Sequence, residues 1–376
     1  MKILLTGSHF TPAQAVIEKL QATANLEIVY IGRKTTREGD GSPSLESQIL
    51  PQMGVKFRPI IAGRLQRNFG LYTIPSLLKV PVGFIQSFYI LIKEKPDVIL
   101  SFGGYVGVPV VISAWLLSIP IIIHEQTLVP SLATKISSLF ADKIAVSFPG
   151  LTQDKVVVTG NPLRSEILDV NPDDSKIDPE ILRIVNNAKK DKRPLVLITG
   201  GNQGSHIINE TIHEIIEDLT SRFSIIHQTG DSKFNDFEKL VDIKKTFKNS
   251  NHYLVRKFFT AGELAYIYKN CDLGVSRAGI NTLQELAFFG VPSLVIPLEA
   301  VGGNEQTKNA KYFQELGLVQ VLPQSNLKAS TLKSYLEEMV SKLETLKKEA
   351  RRSRQVVFPD AASKLALETL LLKEVE

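Results

Sequence analysis

Ser276-Arg277-Ala278-Gly279-Ile280-Asn281-Thr282-Leu283-Gln284-Glu285-Leu286, then Gly290-Val291-Pro292, then Asn304-Glu305-Gln306-Thr307-Lys308-Asn309-Ala310, reads as one βαβα unit. A strand ends near Ser276, a glycine turn follows, and a helix opens with a carboxylate one turn in. A second strand follows Pro292, and a loop of amide side chains opens the next helix. This arrangement suits a nucleotide-sugar. Free N–H groups and the dipole at a helix start favour a diphosphate, with Arg277 and Gly279 beside them. Glu285 can accept two hydrogen bonds from a ribose diol, and Gln306 and Asn309 offer donors and acceptors to sugar hydroxyls. Each piece has a plainer reading. A glycine after a strand is ordinarily a turn, a helical glutamate is ordinarily solvated, and asparagines cap helices. The ordered set carries the functional reading.

Outward from this unit, short β-branched strands alternate with helical stretches along the whole chain. Strands are expected at 3–6, 27–31, 98–101, 121–124, 144–147 and 156–159, with helices such as 13–22 and 131–140 between them. After a polar, proline-containing stretch at 171–193 the pattern restarts, with strands at 195–199, 224–228, 253–255, 273–276 and 293–297. Alternation of this kind predicts α/β architecture with parallel sheets. Two sets predict two Rossmann-like domains facing each other across a cleft. The expected division is 1–165 for the first domain, 166–193 for a linker, 194–350 for the second domain, which carries the nucleotide-sugar unit, and 351–376 for a C-terminal helix that packs back on the first domain. Glycine loops follow strands at Thr6-Gly7-Ser8-His9, Phe102-Gly103-Gly104-Tyr105 and Thr199-Gly200-Gly201-Asn202-Gln203-Gly204-Ser205. Ligands of such sheets bind at the carboxyl ends of strands. None of the loops is G-x-G-x-x-G or a Walker A loop, so NAD-dependent and P-loop chemistry lose their main support.

Composition bounds the class. With 376 residues, 43% hydrophobic and 22% charged, the chain can build real cores. Its formal charge of +5 fits an anionic partner, or ordinary surface variation. One cysteine, Cys271, rules out a disulfide within the chain and reads as a small buried residue of a protein from a reducing compartment. Met1-Lys2 leads straight into the first strand, with no secretory signal pattern. The uncharged run 106–123 is broken by Pro120 and reads as a buried helix followed by a strand, not a membrane span. One Trp and no basic-aromatic repeat argue against nucleic acid as a partner.

Assembled, these residues resemble the MurG type of GT-B glycosyltransferase over nearly the whole chain. The resemblance rests on His9-Phe10-Thr11-Pro12-Ala13, Pro96-Asp97-Val98, Gly103-Gly104-Tyr105, His124-Glu125-Gln126 and Gly160-Asn161-Pro162-Leu163-Arg164. Gly200-Gly201-Asn202-Gln203-Gly204, Arg277-Ala278-Gly279 with Glu285, and Gln306-Thr307-Lys308-Asn309-Ala310 complete it. It implies a GT-B fold and inverting transfer of N-acetylglucosamine from UDP-GlcNAc to the polyprenyl-diphosphate acceptor lipid I, giving lipid II. It also implies a peripheral place on the cytoplasmic face of the membrane. Carried over by position, Glu285 would hold the ribose and Arg164 the diphosphate. Asn202, Gln203 and Gly204 would form a loop near the phosphates, Phe259 would lie against the uracil, and Gln306 and Asn309 would select the sugar. Ser8, His9, Gly103, Gly104, Tyr105, Gln126 and Thr127 would form the acceptor side. The sequence departs from the family there: the usual Gly-Gly-Thr-Gly-Gly-His is shortened to Thr6-Gly7-Ser8-His9. Thr127 and Thr134 stand for asparagines, and Asn202 for a serine.

Inverting transfer needs a base for the attacking hydroxyl and a stabiliser for departing UDP. His9, at the head of the first helix, is the first candidate base, with a capping role as the competing reading. Glu125 is the alternative base or an orienting partner, and His124 reads as structural. No Asp-x-Asp and no zinc-like spacing appear, so no metal and no cofactor are expected. Arg64, Arg67, Lys79, Lys93 and Lys95 flank apolar residues from Phe69 to Ile92. The first part, 69–78, reads as a membrane-surface segment and 84–92 as a core helix with basic flanks. Competing functions are a GT-B transferase for another lipid such as a diacylglycerol, a UDP-GlcNAc 2-epimerase, or a non-catalytic GT-B scaffold.

Overall fold

The computed structural model describes residues 1–35, 43–63, 73–150, 154–169, 174–201, 203–231, 233–299 and 304–374. The chain divides into two compact units, Met1–Arg164 with Phe358–Glu376, and Ser165–Val357. The first holds a seven-stranded parallel sheet of β1 (Lys2–Thr6), β2 (Glu27–Gly32), β3 (Lys56–Pro59), β4 (Val98–Ser101), β5 (Ile121–Glu125), β6 (Lys143–Val146) and β7 (Val156–Val158). Their order is β3-β2-β1-β4-β5-β6-β7. Its helices are α1 (Phe10–Gln21), α2 (Leu45–Gln52), α3 (Thr73–Glu94), α4 (Gly104–Leu116) and α5 (Leu132–Ser137), joined by the last helix of the chain (Ala361–Glu374). The second unit holds β8 (Leu195–Thr199), β9 (Ser224–Gln228), β10 (Tyr253–Arg256), β11 (Leu273–Ser276), β12 (Ser293–Val295) and β13 (Val319–Val321), in the order β10-β9-β8-β11-β12-β13. Around them run α6 (Ser165–Leu168), α7 (Pro179–Lys190), α8 (His206–Arg222), α9 (Asp236–Lys244), α10 (Ala261–Asn270), α11 (Ile280–Phe289), α12 (Glu305–Glu315), α13 (Ala329–Ser341) and α14 (Leu343–Ala350). The last helix is α15.

The strands read as apolar runs because helices cover both faces of each sheet. Ile3, Leu5, Val98 and Leu100 pack on one side with α1 and α15, while Leu4, Val29 and Ile99 pack on the other with α4. Val196, Ile198, Ile225 and Val275 make the corresponding core of the second unit with Ile208, Ile212 and Leu336. The run 106–123 forms most of α4 and the start of β5, with Pro120 between them, as its proline predicts. Helix α11 stops where the sequence says it should. Gly290 takes φ of 70°. Its N–H bonds Ala287 O at 3.1 Å and Val291 N–H bonds Leu286 O at 3.0 Å. This is the Schellman arrangement, which a Cβ at Gly290 would strain.

Three expectations need correction. The edge strands β3 and β13 are not apparent in the sequence. β3, Lys-Phe-Arg-Pro, has no fully buried residue, and β13, Val-Gln-Val, has one, so neither shows the apolar run that the other edges, β7 and β10, keep. Helix α5 ends at Ser137, short of 140. The segment 84–92 is only half a core helix. Ser87 and Leu91 are buried, but Ile85, Tyr89 and Ile92 are 71%, 64% and 50% exposed. Of the apolar residues before it, Phe69, Leu71 and Tyr72 lie outside the described residues, with Arg64 and Arg67.

Candidate active site

Each sheet reverses its strand order beside its first strand, and the carboxyl ends at such a switch point are where α/β folds hold ligands. In the first unit the switch lies between β1 and β4. Thr6 is in register with Ile31 and Ser101, so the loops after β1, β2 and β4 leave the sheet together. Gly7 and Gly104 let two of them touch. Gly7 has φ of 137°, and a Cβ there would lie 2.8 Å from Phe102 C. One on Gly104 would lie 2.3 Å from Ser8 Oγ. Ser8 N–H donates to Gly103 O at 3.0 Å. Gly103, with φ of 65°, precedes α4 without a side-chain cap. Gly103 N–H itself donates to Ser101 Oγ at 3.4 Å. Ser8 Oγ is buried with no partner among the described residues. Tyr105 lies one residue into α4, and its hydroxyl accepts from Arg33 at 3.3 Å. Sequence reasoning missed Arg33; its signal is its place directly after β2, at the same sheet edge.

His9 stands at the start of α1 with no side-chain cap of its own. Its Nδ1 lies 2.8 Å from the Gln126 amide nitrogen. Burial lowers its pKa from the ordinary value, the Glu125 charge opposes this, and the Arg33 charge assists it. The imidazole is therefore neutral at pH 7. Gln126 is buried, and its Oε1 has no partner among the described residues. An amide in this place controls the tautomer. If its NH2 donates to Nδ1, the ring proton sits on Nε2. If the amide turns over, Oε1 accepts Nδ1–H, and the lone pair of Nε2 is bared.

Glu125 is bonded into the loop that follows it. It is buried; its Oε1 accepts from Thr127 N–H at 2.9 Å and Thr127 Oγ1 at 2.7 Å, and its Oε2 accepts from Ser131 N–H at 3.4 Å. These bonds fold the 125–131 loop, with Ser131 capping α5 through Thr134 N–H. His124 is fully buried, 3.1 Å from Gly160 O through Nε2, and burial pushes its pKa down to about 4. Arg164 is the last residue of the segment Met1–Arg164 of the first unit.

In the second unit the switch lies between β8 and β11, with Thr199 in register with Gln228 and Ser276. Helix α10 starts in a capping box, Thr260 with Glu263, which satisfies its own donors. Helices α8, α11 and α12, starting after Ser205, Gly279 and Asn304, have no side-chain caps. The dipoles of these helix starts favour an anionic ligand. Gly204, with φ of 72°, has no room for a Cβ, which would fall 2.0 Å from Thr229 O. Gly279 differs: a Cβ there would meet nothing, so the helix start opens onto empty space. Gln203 lies in the loop before Gly204, and Asn202 lies outside the described residues. Gln228, also missed in the sequence, donates to Thr199 Oγ1 at 3.3 Å and accepts from Phe259 N–H at 3.2 Å, tying the glycine loop to the segment after β10. The Phe259 side chain is buried, and the exposed ring is that of Phe258.

Glu285 is buried, and Tyr268 O–H donates to its Oε2 at 3.0 Å. Tyr268 is a third residue the sequence did not single out. Arg277 is half-buried and donates to Ile296 O at 3.0 Å. Gln306 Oε1 accepts from Leu298 N–H at 2.9 Å. Asn309 is wholly buried; its Nδ2 donates to Ala278 O at 3.2 Å, bracing the turn before α11, and its Oδ1 has no partner among the described residues. No group of metal-binding side chains occurs among the described residues.

Two parallel α/β sheets, of seven and six strands, with switch-point sites of this kind define a GT-B protein. Residues 6–146 match the Glycosyltransferase family 28 N-terminal domain and 195–365 the Glycosyltransferase family 28 C-terminal domain. The chain belongs to glycosyltransferase family 28 and is MurG-like, as its motifs indicated. It is 36% identical over 335 residues to the UDP-N-acetylglucosamine–N-acetylmuramyl-(pentapeptide) pyrophosphoryl-undecaprenol N-acetylglucosamine transferase of Clostridium tetani, covering 87% of this chain and 86% of that one. A Bacillus cereus relative of the same name, numbered 1, is 34% identical over 366 residues, covering 96% and 95%. In structure the chain is similar to MurG of Acinetobacter baumannii, with a TM-score of 0.70, 23% identity and coverage of 98% and 99%. It is also similar to a UDP-GlcNAc 2-epimerase from Neisseria meningitidis, with a TM-score of 0.64, 17% identity and coverage of 99% and 100%. Those two likenesses concern the fold.

Proposed function

We propose that this chain transfers N-acetylglucosamine from UDP-GlcNAc, with inversion, to an N-acetylmuramyl-pentapeptide carried on a polyprenyl diphosphate (lipid I), making lipid II for peptidoglycan. The observation that carries this reading is the likeness to curated relatives bearing that activity in their names, at 36% and 34% identity over most of both chains. The geometry of the two switch points supports it.

On this reading the second unit holds the donor. The uncapped starts of α8 and α11 receive the diphosphate, with Gln203, Gly204, Arg277 and the open Gly279 beside it. Glu285, oriented by Tyr268, takes the ribose diol, the segment at Phe259 takes the uracil, and Gln306 offers its NH2 to the sugar. Asn309 acts by holding the Ala278–Gly279 turn. Arg164 and the helix starts offset the charge that grows on departing UDP. The first unit holds the acceptor, with its diphosphate at Ser8, Gly103, Gly104 and Tyr105. His9 takes the proton of the attacking hydroxyl through Nε2, which requires Gln126 to accept Nδ1–H. Glu125 and Thr127 shape the loop that carries Gln126. The apolar outer face of α3, with Ile85, Tyr89 and Ile92 spaced i, i+4 and i+7 and exposed Lys93 and Lys95 nearby, rests on the anionic cytoplasmic membrane surface.

Calorimetry with UDP-GlcNAc and an assay of UDP release test this reading. Binding of UDP-GlcNAc, with UDP released only when a polyprenyl-diphosphate muramyl acceptor is added, is expected. No binding, or turnover of UDP-GlcNAc without any acceptor, overturns it; the latter is the behaviour of an epimerase.

A further inference from the structure

An apolar cavity of about 100 Å³ lies in the first unit. Val80 of α3, Tyr105, Val108 and Pro109 of α4, and Leu132 and Ile136 of α5 line it. None of these side chains carries a charge, so the lining favours a dry, apolar occupant. Apolar cavities of about 150 Å³ stay dry and take up benzene, so this one suits a branched unit somewhat smaller.

What lies beside the cavity narrows the occupant. Tyr105 is part of the wall, and its hydroxyl accepts from Arg33, whose guanidinium lies 5.7 Å from the ring centroid. Gly104, immediately before it, begins α4 without a side-chain cap. On the α5 side, Ala133 lines the cavity, and the next residue, Thr134, puts its Oγ1 3.5 Å from where a Gly103 Cβ would stand. The buried hydroxyl of Ser8, without a partner among the described residues, faces the same turn at Gly104. Arg33, which also pairs with Glu46 at 3.7 Å, the start of α4 and the Ser8 hydroxyl thus stand at one side of an apolar hole. The complementary molecule has an anionic head joined directly to a branched apolar tail. Leu132, 47% exposed, keeps the mouth apolar for the rest of such a tail.

We propose that this cavity binds the first isoprene unit of a polyprenyl diphosphate, so that the protein itself, and not only the membrane, reads the lipid end of its acceptor. The proposal rests on the glycosyl-transfer reading above. A diphosphate held at Gly103 and Gly104 sets the distance to the first isoprene. That unit then contributes affinity through the apolar area it buries.

The probe is geranyl diphosphate, titrated into the full chain by calorimetry beside inorganic pyrophosphate, geraniol and dodecyl maltoside. Two variants accompany the wild type: Ala133→Phe, which fills the cavity, and Leu132→Gln, which makes its exposed mouth polar with little risk to folding. Geranyl diphosphate is expected to bind the wild type about tenfold or more tighter than pyrophosphate. Each variant should remove most of that difference while leaving pyrophosphate and UDP-GlcNAc binding unchanged. Equal affinities for geranyl diphosphate and pyrophosphate in the wild type overturn the proposal. So does unchanged geranyl diphosphate binding in both variants. Equally tight binding of geraniol or dodecyl maltoside assigns the cavity to any apolar chain and also overturns it. If UDP-GlcNAc fails to bind while the geranyl preference holds, the transfer reading fails and the cavity assignment stands.

Discussion

At the scale of single residues, Gln126 and His9 make the sharpest statement. A buried amide 2.8 Å from an imidazole nitrogen decides where the ring proton sits, and hence whether Nε2 can act as a base. Because burial lowers the His9 pKa, the acid limb of kcat/KM should fall below pH 6.5, with activity lost as pH drops through it. Gln126→Glu places a carboxylate against the ring, which favours the imidazolium. That limb should then move up by roughly one unit, with KM for UDP-GlcNAc unmoved. His9→Ala should lower kcat by about 10²–10⁴. A pH profile of Gln126→Glu that overlays the wild type would show that the amide does not set the state of His9. Sequence reasoning reached both residues, since each follows a strand end. It gave Gln126 an acceptor contact and did not foresee its contact with His9, because a contact between residues 117 positions apart is not written in either motif. Arg33, Gln228 and Tyr268 were missed for the same reason: each acts on a neighbour brought close only by the sheet.

At the scale of elements, helices announce themselves by what precedes them and strands by what covers them. The starts of α8 and α11 were legible because a glycine loop before a helix is a local feature, and the uncapped state of both helices accords with it. The central strands were legible because burial on both faces leaves uninterrupted apolar runs. The edges β3 and β13 were not, because Lys-Phe-Arg-Pro and Val-Gln-Val offer no apolar run, whereas the edges β7 and β10, with Val-Val-Val and Tyr-Leu-Val, were legible. Helix α3 shows a limit of hydropathy, which counts apolar residues without saying which face they occupy. Its inner face packs at Leu91, while Ile85, Tyr89 and Ile92 point outward. An exposed apolar stripe with cations nearby suits an anionic bilayer. Ile85→Glu with Tyr89→Glu removes two apolar contacts and adds two like charges against the lipid. Sedimentation with vesicles containing phosphatidylglycerol should show binding reduced about tenfold or more, while activity on a short-tailed, water-soluble acceptor stays within about twofold of wild type. Undiminished sedimentation would move the membrane contact elsewhere on the molecule.

At the scale of the whole molecule, the two units differ in how the chain closes them, and two buried histidines couple both to pH. His124 is pushed down to about 4, and His227 to about 3 by burial between Tyr253 and Asn209. Between their unfolded value near 6.5 and these folded values, the unfolded chain binds protons that the native chain excludes. Stability is therefore lost as pH falls through that window, by up to about 1.4 kcal/mol per unit for each histidine. Urea midpoints should drop between pH 7 and pH 5, and equal midpoints would contradict the neutral, buried state of both rings. The closure of the first unit depends on the far end of the chain. Ala362, Leu365 and Ala366 of α15 are buried in the same core as Ile3, Leu5 and Val16. Lys143 Nζ reaches Glu368 at 2.7 Å, and Lys373 pairs with Asp97. Phe358 lies against Gly160, where a Cβ would fall 2.6 Å from the Phe358 Cβ. The second unit keeps its own core, built from Val196, Ile212 and Leu336, without residues from 358 onward. Leu365→Ala should therefore cost about 2–5 kcal/mol, and the loss should fall on the first unit alone. Scanning calorimetry should show one transition moving to lower temperature while the other stays. Titration of UDP-GlcNAc should give an unchanged Kd at a temperature where the weakened unit is still folded. If both transitions moved together and UDP-GlcNAc affinity fell with them, the two units would unfold as one, and the donor site would depend on a helix that packs in the other unit.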